Sequence, residues 1–395
     1  MAEETFWIHP DAEQSEVWPG PEGYPWAETG IRLWTREGLL KRVGPDELLC
    51  TWTTGGFTEP GLGNFTMIAR SEDNGRSWQH AGRFAHPTRG LFTTELFVPR
   101  DGEVHAFLQT YDTGEWMAHQ HSYRVVSTDG GRSWSGPHSI PGGADNVWAN
   151  RGIVHSSGRW LIPVAWAELN GEEWAPPTVG RPPGDLQVGT RKPPHVELPF
   201  GADSALRQQT GNAWCHRNHR YCCGVLVSDD DGSTFRLCGR VSGGVRGHLM
   251  EPQLVECADG AVIMLIRSMG EGVLLRSESR DRGETWSDPV RTGIPNPSGK
   301  VLVLKSRDGR IFLVHNPRQV EEARMQDRNP LSLWVSDDEM ATWSRKVDLV
   351  RRAPPDRGLN YPNGYLDEER SLLDFVWEDG RTVYRMRIPL DIGGR

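Results

Sequence analysis

Arginines, carboxylates and one tyrosine occupy positions where strands are predicted to begin or end, and these residue types bind and transform acidic ligands. Arg36 and Tyr361 lie at predicted strand starts, Arg267 at a predicted strand end and Arg328 in a predicted loop. A guanidinium forms two parallel hydrogen bonds to a carboxylate, which fixes an acidic ligand in one orientation. Other predicted strand ends carry aromatic residues that suit the stacking of sugar rings, namely Trp52, Tyr111, Trp166 and Trp377.

Several further polar residues could serve the same site. Glu251 and Glu95 begin predicted strands, Glu59 lies in a predicted loop, and Asn316 ends a strand. A positioned carboxyl can transfer protons, so the three glutamates are candidates for acid–base work. Each candidate also has an ordinary structural interpretation. Glu251 and Arg267 could form a plain surface pair, Arg328 could be a loop residue, and Tyr361 could be an aromatic packed before a proline.

Neither a metal nor another cofactor is expected. The histidine pairs His119–His121 and His216–His219 have weak metal-ligand spacing and no matching carboxylate, so solvated loop histidines are favoured. The six cysteines have no paired C-x-x-C spacing, which favours free buried thiols over a structural zinc site.

Five copies of one short motif organise the chain that must position these residues. Each copy has Ser, Asp two residues later, then Gly (Met340 in the last copy) and an aromatic residue. The copies are SEDNGRSW (Ser71–Trp78), STDGGRSW (Ser127–Trp134), SDDDGSTF (Ser228–Phe235), SRDRGETW (Ser279–Trp286) and SDDEMATW (Ser336–Trp343). The Asp can accept backbone N–H groups in a tight turn, the Gly allows a positive φ, and the ring can pack between sheets. The motif is therefore interpreted as structural.

The spacing of the copies predicts an all-β, six-bladed β-propeller that forms a single domain over residues 1–395. Four intervals of 56, 101, 51 and 57 residues separate the five copies, and about 50 residues make one four-stranded blade. Each motif follows an alternating strand, which places it between the third and fourth strands. The C-terminal unit has three strands, so the N-terminal segment could supply the fourth and close the ring.

The interval of 101 residues is explained by a long loop insertion in the third blade, over residues 168–220. This segment is rich in Pro, Arg, His and Trp. It could form a lid or a subsite wall, or equally a solvated loop.

Strand direction predicts which residues share a face. If the motif turns lie on the bottom, first-strand starts, second-strand ends and the loops between second and third strands lie on the top. The candidate residues occupy these top positions and should surround one pocket.

With these motifs and positions, the chain resembles the sialidase (neuraminidase) superfamily, in the branch of Asp-box or BNR-repeat proteins. The resemblance implies an arginine triad that binds the substrate carboxylate, a tyrosine nucleophile activated by a glutamate, and an aspartate acid/base in the loop between the second and third strands of the first blade. Glu59 lies in that loop but is a different residue type. Carried over by position, Arg36, Arg267 and Arg328 would form the triad, Tyr361 the nucleophile and Glu251 its base. Glu59 would donate the proton to the leaving oxygen, with Glu95 as a spare.

Three functions remain open. The first is an exo-acting glycoside hydrolase that cleaves a terminal, sialic-acid-like sugar with retention. The second is another carbohydrate-active propeller, such as a uronate-directed hydrolase or a polysaccharide lyase. The third is a noncatalytic glycan-binding propeller, because fold alone does not determine function.

Charge and hydropathy exclude other partners from the prediction. The formal net charge is −9 and there is no basic run, so no nucleic-acid partner is expected. Without a long apolar stretch, no membrane partner is expected, and a glycan or oligosaccharide substrate is the expected partner. The N-terminal residues do not resemble a signal peptide, which predicts a cytoplasmic protein, or a secreted or periplasmic one if a leader has been removed.

Overall fold

The regular secondary structure of the described residues is almost entirely β-strand, and the strands form six sheets. The computed structural model describes residues 5–18, 34–55, 63–111, 120–140, 145–169, 187–188, 219–242, 248–320, 323–353 and 357–393. The side chains of Leu169, Gln187, Val188 and His219 are not described. Besides the strands, Met325–Asp327 forms a short 3₁₀ turn.

The strands follow one another in blade order, after two that belong to later blades. The N-terminal strands are β1 (Thr5–Ile8) and β2 (Glu13–Glu16). Blade 1 contains β3 (Thr35–Arg42), β4 (Leu48–Thr54), β5 (Phe65–Ser71) and β6 (Gln79–Ala85). Blade 2 contains β7 (Gly90–Arg100), β8 (Glu103–Tyr111), β9 (His121–Ser127) and β10 (His138–Ser139). Blade 3 contains β11 (Trp148–Ala149), β12 (Ile153–Val154) and β13 (Trp160–Leu169), then, after β14 (Gln187–Val188), β15 (His219–Ser228) and β16 (Arg236–Val241).

The remaining three blades are more regular. Blade 4 contains β17 (Leu249–Glu256), β18 (Val262–Ser268), β19 (Val273–Ser279) and β20 (Val290–Pro295). Blade 5 contains β21 (Leu302–Lys305), β22 (Ile311–His315), β23 (Leu331–Ser336) and β24 (Arg345–Ala353). Blade 6 contains β25 (Asn360–Asp367), β26 (Leu372–Glu378) and β27 (Val383–Pro389).

The six sheets form a closed ring, which confirms the predicted six-bladed β-propeller. The first strand of each blade is the innermost, and these strands contact one another around the ring, with β25 of blade 6 against β3 of blade 1. Between blades 3 and 4 the contact is made by β17 with β13 and β15. The N-terminal strand β2 pairs with β27 and completes blade 6, as predicted. The sequence did not predict that β1 would pair with β24 as a fifth strand of blade 5.

The five repeated turns join the third and fourth strands and have the predicted hydrogen bonds. In the second copy, Ser127 Oγ lies 2.7 Å from Asp129 Oδ1, and the backbone N–H of Ser133 donates to the same oxygen at 2.9 Å. The N–H of Gly131, at φ +83°, donates to Ser127 Oγ at 2.7 Å. Met340 replaces the glycine in the fifth copy and also adopts a positive φ, of +68°.

The hydrophobic core lies between the blades rather than at the centre of the ring. Its clusters combine side chains from adjacent blades, as where Leu40 and Trp52 of blade 1 meet Val376 of blade 6. The aromatic residues of the motifs belong to or pack against these clusters, and they are Trp78, Trp134, Phe235, Trp286 and Trp343. The aromatic residues of the turns therefore pack each sheet against its neighbour, and polar residues lie near the axis of the ring.

The predicted insertion at residues 168–220 falls mostly outside the described residues. Its flanking strands β13 and β15 pair along their whole length in blade 3. One described piece, β14, pairs with β6 of blade 1. In the described part of the chain, there is no helix long and apolar enough to cross a membrane.

Candidate active site

Three innermost strands contain the same irregularity at the end opposite the motif turns. In β3, β17 and β25 the pairing skips two residues, which are Glu37–Gly38, Glu251–Pro252 and Tyr361–Pro362. The first residue of each pair has a positive φ, of +53° for Glu37, +48° for Glu251 and +52° for Tyr361. A bulge re-directs a side chain, and a positive φ on a non-glycine residue is costly and concentrates at functional sites.

Three arginines from three blades surround Tyr361. The Cζ atoms of Arg36 and Arg328 lie 5.5 Å and 5.8 Å from the centre of the phenol ring. Nη1 of Arg267 lies 3.5 Å from the tyrosine Oη. The sequence assigned these three arginines and this tyrosine to one pocket, and the structure brings them together.

The side chain of Arg267 also donates hydrogen bonds to two other residues. Its Nη1 donates to Glu251 Oε2 at 2.7 Å, and its Nε donates to Ser298 Oγ at 3.1 Å. Burial works to raise the pKa of Glu251, but Arg267 and Lys300 outweigh it, so the pKa lies below its ordinary value. Burial likewise opposes the charge on Arg267, while Glu251 and Tyr361 raise its pKa. Both groups are therefore charged, and Glu251 is ionised beside Arg267.

Arg328 is a buried cation that is only partly compensated. It donates to the backbone carbonyl of Ser298 at 2.7 Å and to Asn360 Oδ1 at 3.2 Å. Its Nε is buried and has no hydrogen-bond partner among the described residues. Burial, reinforced by the like charge of Arg267, lowers its pKa to about 10. A bound carboxylate would supply the missing counter-charge.

Arg36 and Lys300 are the other two cations beside the ring of Tyr361. Arg36 donates to Glu378 Oε1 at 3.0 Å and stacks its guanidinium 5.5 Å from the ring of Trp34. Burial raises the pKa of Glu378, and the charge of Arg36 opposes that rise. Lys300 has its Nζ 5.7 Å from the centre of the Tyr361 ring and 3.7 Å from Glu37 Oε1.

The other predicted site residues have different surroundings. Glu95 forms an ion pair with Lys41, whose Nζ lies 2.8 Å from Glu95 Oε1. Lys41 is on β3, four residues after Glu37. Asn316 donates its amide to the backbone carbonyls of Pro330 and Leu359, which steadies the segments carrying Arg328 and Tyr361. Glu59 lies outside the described residues. No group of three or more His, Cys, Asp or Glu side chains that could hold a metal occurs in the described ranges.

Sequence reasoning missed four residues of this site, namely Glu37, Ser298, Lys300 and Glu378. A signal for the first was present, because Arg-Glu-Gly at 36–38 parallels Met-Glu-Pro at 250–252 and Asn-Tyr-Pro at 360–362. Glu378 follows Trp377 at the end of a second strand, one residue beyond the aromatic that was named. Nothing in the sequence pattern distinguishes Lys300.

Together these residues form a cluster suited to a carboxylate ligand. Cations surround the ring of Tyr361, and Glu251 lies beside the guanidinium that contacts the tyrosine hydroxyl. Such a cluster can orient an anion and favours negative charge on the phenol oxygen.

Comparison with known proteins gives one family match. A family model described as "BNR repeat-like domain" matches residues 46–372. No curated protein matches the sequence.

Several solved structures share the fold at low identity. A Hadza microbial sialidase superposes with a TM-score of 0.64 at 14% identity, over 91% of this chain and 66% of that chain. A protein of unknown function from Dyadobacter fermentans gives a TM-score of 0.64 at 15% identity, over 96% and 100%. A Trypanosoma rangeli sialidase, in a covalent intermediate with 2,3-difluorosialic acid, gives a TM-score of 0.63 at 16% identity, over 97% of this chain and 59% of that chain. This chain thus spans about two thirds or less of these sialidases, and the likeness shows a shared fold.

Proposed function

This chain belongs to the family of BNR repeat-like domains, and we propose that it is an exo-acting glycoside hydrolase that removes a terminal acidic sugar, with sialic acid as the first substrate to test. The observation that supports this most strongly is the arrangement of Arg36, Arg267 and Arg328 around Tyr361. A carboxylate held by these arginines would place the attached sugar against the phenol. The T. rangeli sialidase, which shares the fold, forms a covalent intermediate with a sialic acid derivative.

In the first step, Tyr361 acts as the nucleophile. The phenol oxygen forms a bond to the anomeric carbon while the bond to the leaving oxygen breaks. The phenolic proton passes to Glu251, which is ionised, and Glu59 gives its proton to the leaving oxygen. The cations around the ring favour the phenolate that develops, and a neutral phenol avoids the repulsion that a carboxylate nucleophile would meet from an anionic sugar.

In the second step, water replaces the tyrosine. Glu59, now ionised, takes a proton from the attacking water, and the proton held by Glu251 returns to the phenol oxygen. Two displacements at one carbon give retention of configuration. The arginines hold the carboxylate through both steps, so they contribute to binding and to orientation.

The same arginines would also accept a uronate, because they recognise the carboxylate rather than the rest of the sugar. A uronate-directed hydrolase or lyase is therefore the competing function, and a noncatalytic glycan-binding protein is the third. Release of a fluorophore from a sialoside distinguishes the first function from the others. New ultraviolet absorbance from an unsaturated uronate would instead identify a lyase.

The decisive experiment identifies the nucleophile. The protein is incubated with 2,3-difluorosialic acid and digested, and the modified peptide is found by mass spectrometry. We expect the adduct on Tyr361, and we expect Tyr361→Phe to lose both adduct and turnover while its stability changes by less than about 1 kcal/mol. Tyr365→Phe is the matched control, because Tyr365 lies on the same strand but bonds Asp374 at 2.9 Å. Undiminished turnover in Tyr361→Phe would exclude the proposed nucleophile.

A further inference from the structure

Glu37 occupies in blade 1 the position that Glu251 and Tyr361 occupy in blades 4 and 6. All three are the first skipped residue of a bulge in an innermost strand, and all three have φ near +50°. Glycine follows Glu37, where the other two bulges have proline. The blade repeat therefore presents three functional groups to the axis, of which only two have a role in the proposed reaction.

The surroundings of the Glu37 carboxyl are asymmetric. Oε1 lies 3.7 Å from Nζ of Lys300, and both side chains are largely buried, with 15% and 3% exposure. Oε2 is buried and has no hydrogen-bond partner among the described residues. A buried carboxylate oxygen without a donor is costly, whereas a protonated carboxyl could donate from this oxygen to a ligand.

Burial raises the pKa of Glu37 to about 7, with Lys300 opposing the rise and Glu251 adding to it. The charged groups that face it come from four blades. They are Lys300 of blade 5, Glu251 and Arg267 of blade 4, Arg36 of its own strand, and Glu378 of blade 6, which bonds Arg36. Its charge therefore changes near neutral pH, in the middle of the arginine cluster.

This change alters the charge available to an anion. The four cations Arg36, Arg267, Arg328 and Lys300 face the three carboxyls Glu37, Glu251 and Glu378. With Glu37 protonated the set carries two net positive charges, and with Glu37 ionised it carries one. A carboxylate ligand adds a negative charge, which favours the protonated form of a neighbouring carboxyl.

We propose that Glu37 is a further substrate-binding residue of this site, and that its carboxyl holds a proton, donated in a hydrogen bond to the ligand, when a carboxylate sugar occupies the three arginines. The proposal rests on the proposed function. Because linkage is reciprocal, ligand binding takes up a proton near neutral pH, and raising the pH weakens binding.

The first test measures binding of N-acetylneuraminic acid by calorimetry from pH 5.5 to 8.5, in buffers of different ionisation enthalpy. We expect the parent to take up close to one proton at pH 8, with affinity falling by up to about tenfold per pH unit above the pKa of Glu37. Glu37→Gln should bind without proton uptake, and at pH 8.5 at least as tightly as the parent. Glu369→Gln, which removes an exposed carboxyl, should behave as the parent. Unchanged proton uptake in Glu37→Gln would overturn the proposal.

The second test needs no ligand. Since the pKa of Glu37 is raised on folding, its contribution to stability is present below about 4.5 and lost as pH rises through about 7. The melting temperature of the parent, relative to Glu37→Gln, should therefore fall between pH 4.5 and 7 and then level off. If the difference in melting temperature between the parent and Glu37→Gln did not change with pH, the proposal would be overturned whether or not any sugar binds. A falling difference with no binding of N-acetylneuraminic acid by either protein would instead show that the proposed function has failed, and the binding role of Glu37 with it.

Discussion

Arg328 and Arg385 are both buried arginines, but their surroundings differ. Arg328 has a buried Nε without a partner in the described chain and lies beside the like charge of Arg267, which helps to lower its pKa. Arg385 forms a buried ion pair with Asp374, in which its Nε donates at 2.8 Å. An uncompensated buried cation costs stability, whereas removing one partner of a buried pair costs roughly 3–5 kcal/mol.

We therefore expect Arg328→Met to melt at or above the temperature of the parent, while its affinity for N-acetylneuraminic acid falls at least tenfold. Arg385→Met, with an equally large change in side chain, should lose about 3–5 kcal/mol of stability. Thermal denaturation and calorimetry measure both effects. Equal destabilisation by the two substitutions would contradict the view that Arg328 is held for a ligand.

Strand ends were sufficient to find most of the site from the sequence. Met250 pairs with Arg267 and Asn360 with Glu378, so first-strand starts and second-strand ends do meet. Selecting one residue at each strand start missed Glu37, because in β3 the residue selected was Arg36. The same selection misplaced Glu95 because β7 begins at Gly90 and its bulge falls at Thr94, which leaves Glu95 to pair with Lys41.

At the scale of the element, the repeated turns depend on an ionised aspartate. Hydrogen bonds, chiefly from the Ser77 side chain, lower the pKa of Asp73 to about 2. For Asp129 burial works against the charge, yet hydrogen bonds from Ser133 and Ser127 also lower the pKa to about 2. A pKa depressed by folding gives stability that is present above about 3.8 and lost as the pH falls towards 2.

We expect Asp73→Asn to be less stable than the parent by about 1 kcal/mol at pH 6, allowing for solvent screening. The difference should shrink between pH 4 and pH 2, where the parent aspartate becomes protonated. Denaturant unfolding at several pH values measures it, with the exposed Asp101→Asn as control. A difference that persists unchanged at pH 2 would show that the turn does not depend on the charge.

The motif predicted each turn, but not the hydrogen bonds that turn carbonyls accept from arginines of the adjacent blade. Arg159 of blade 3 donates to the carbonyl of Arg282 in the turn of blade 4, at 3.1 Å. Arg385 of blade 6 donates to the carbonyl of Asn74 in the turn of blade 1, at 2.8 Å. Arg70 and Arg124 make the same kind of contact to Gly130 and Gly232. These arginines occupy different positions in their blades, so no repeat in the sequence revealed them.

At the scale of the molecule, the N-terminal segment joins the last two blades. Strand β2 completes blade 6, and Val17, which follows it, is buried against blade 1. Strand β1 extends blade 5, while its Phe6 packs edge-on against Trp377 and Tyr384 of blade 6. Ring closure was predictable because blade 6 lacked a strand. The pairing of β1 was not, because an outer edge can accept a strand without any gap in the repeat.

Two deletions separate these roles. Removing residues 1–8 takes away β1 but leaves blade 6 with four strands, so we expect the oligomeric state to stay that of the parent and the melting temperature to fall by a few degrees. Removing residues 1–17 also exposes the edge of β27 and uncovers apolar side chains between blades 6 and 1. Since an open edge of this kind pairs with other chains, we expect a fall of about 10 °C or more, with aggregation. Size-exclusion chromatography and thermal denaturation measure both. If the shorter deletion were as damaging as the longer one, closure of the ring would depend on β1 rather than on β2.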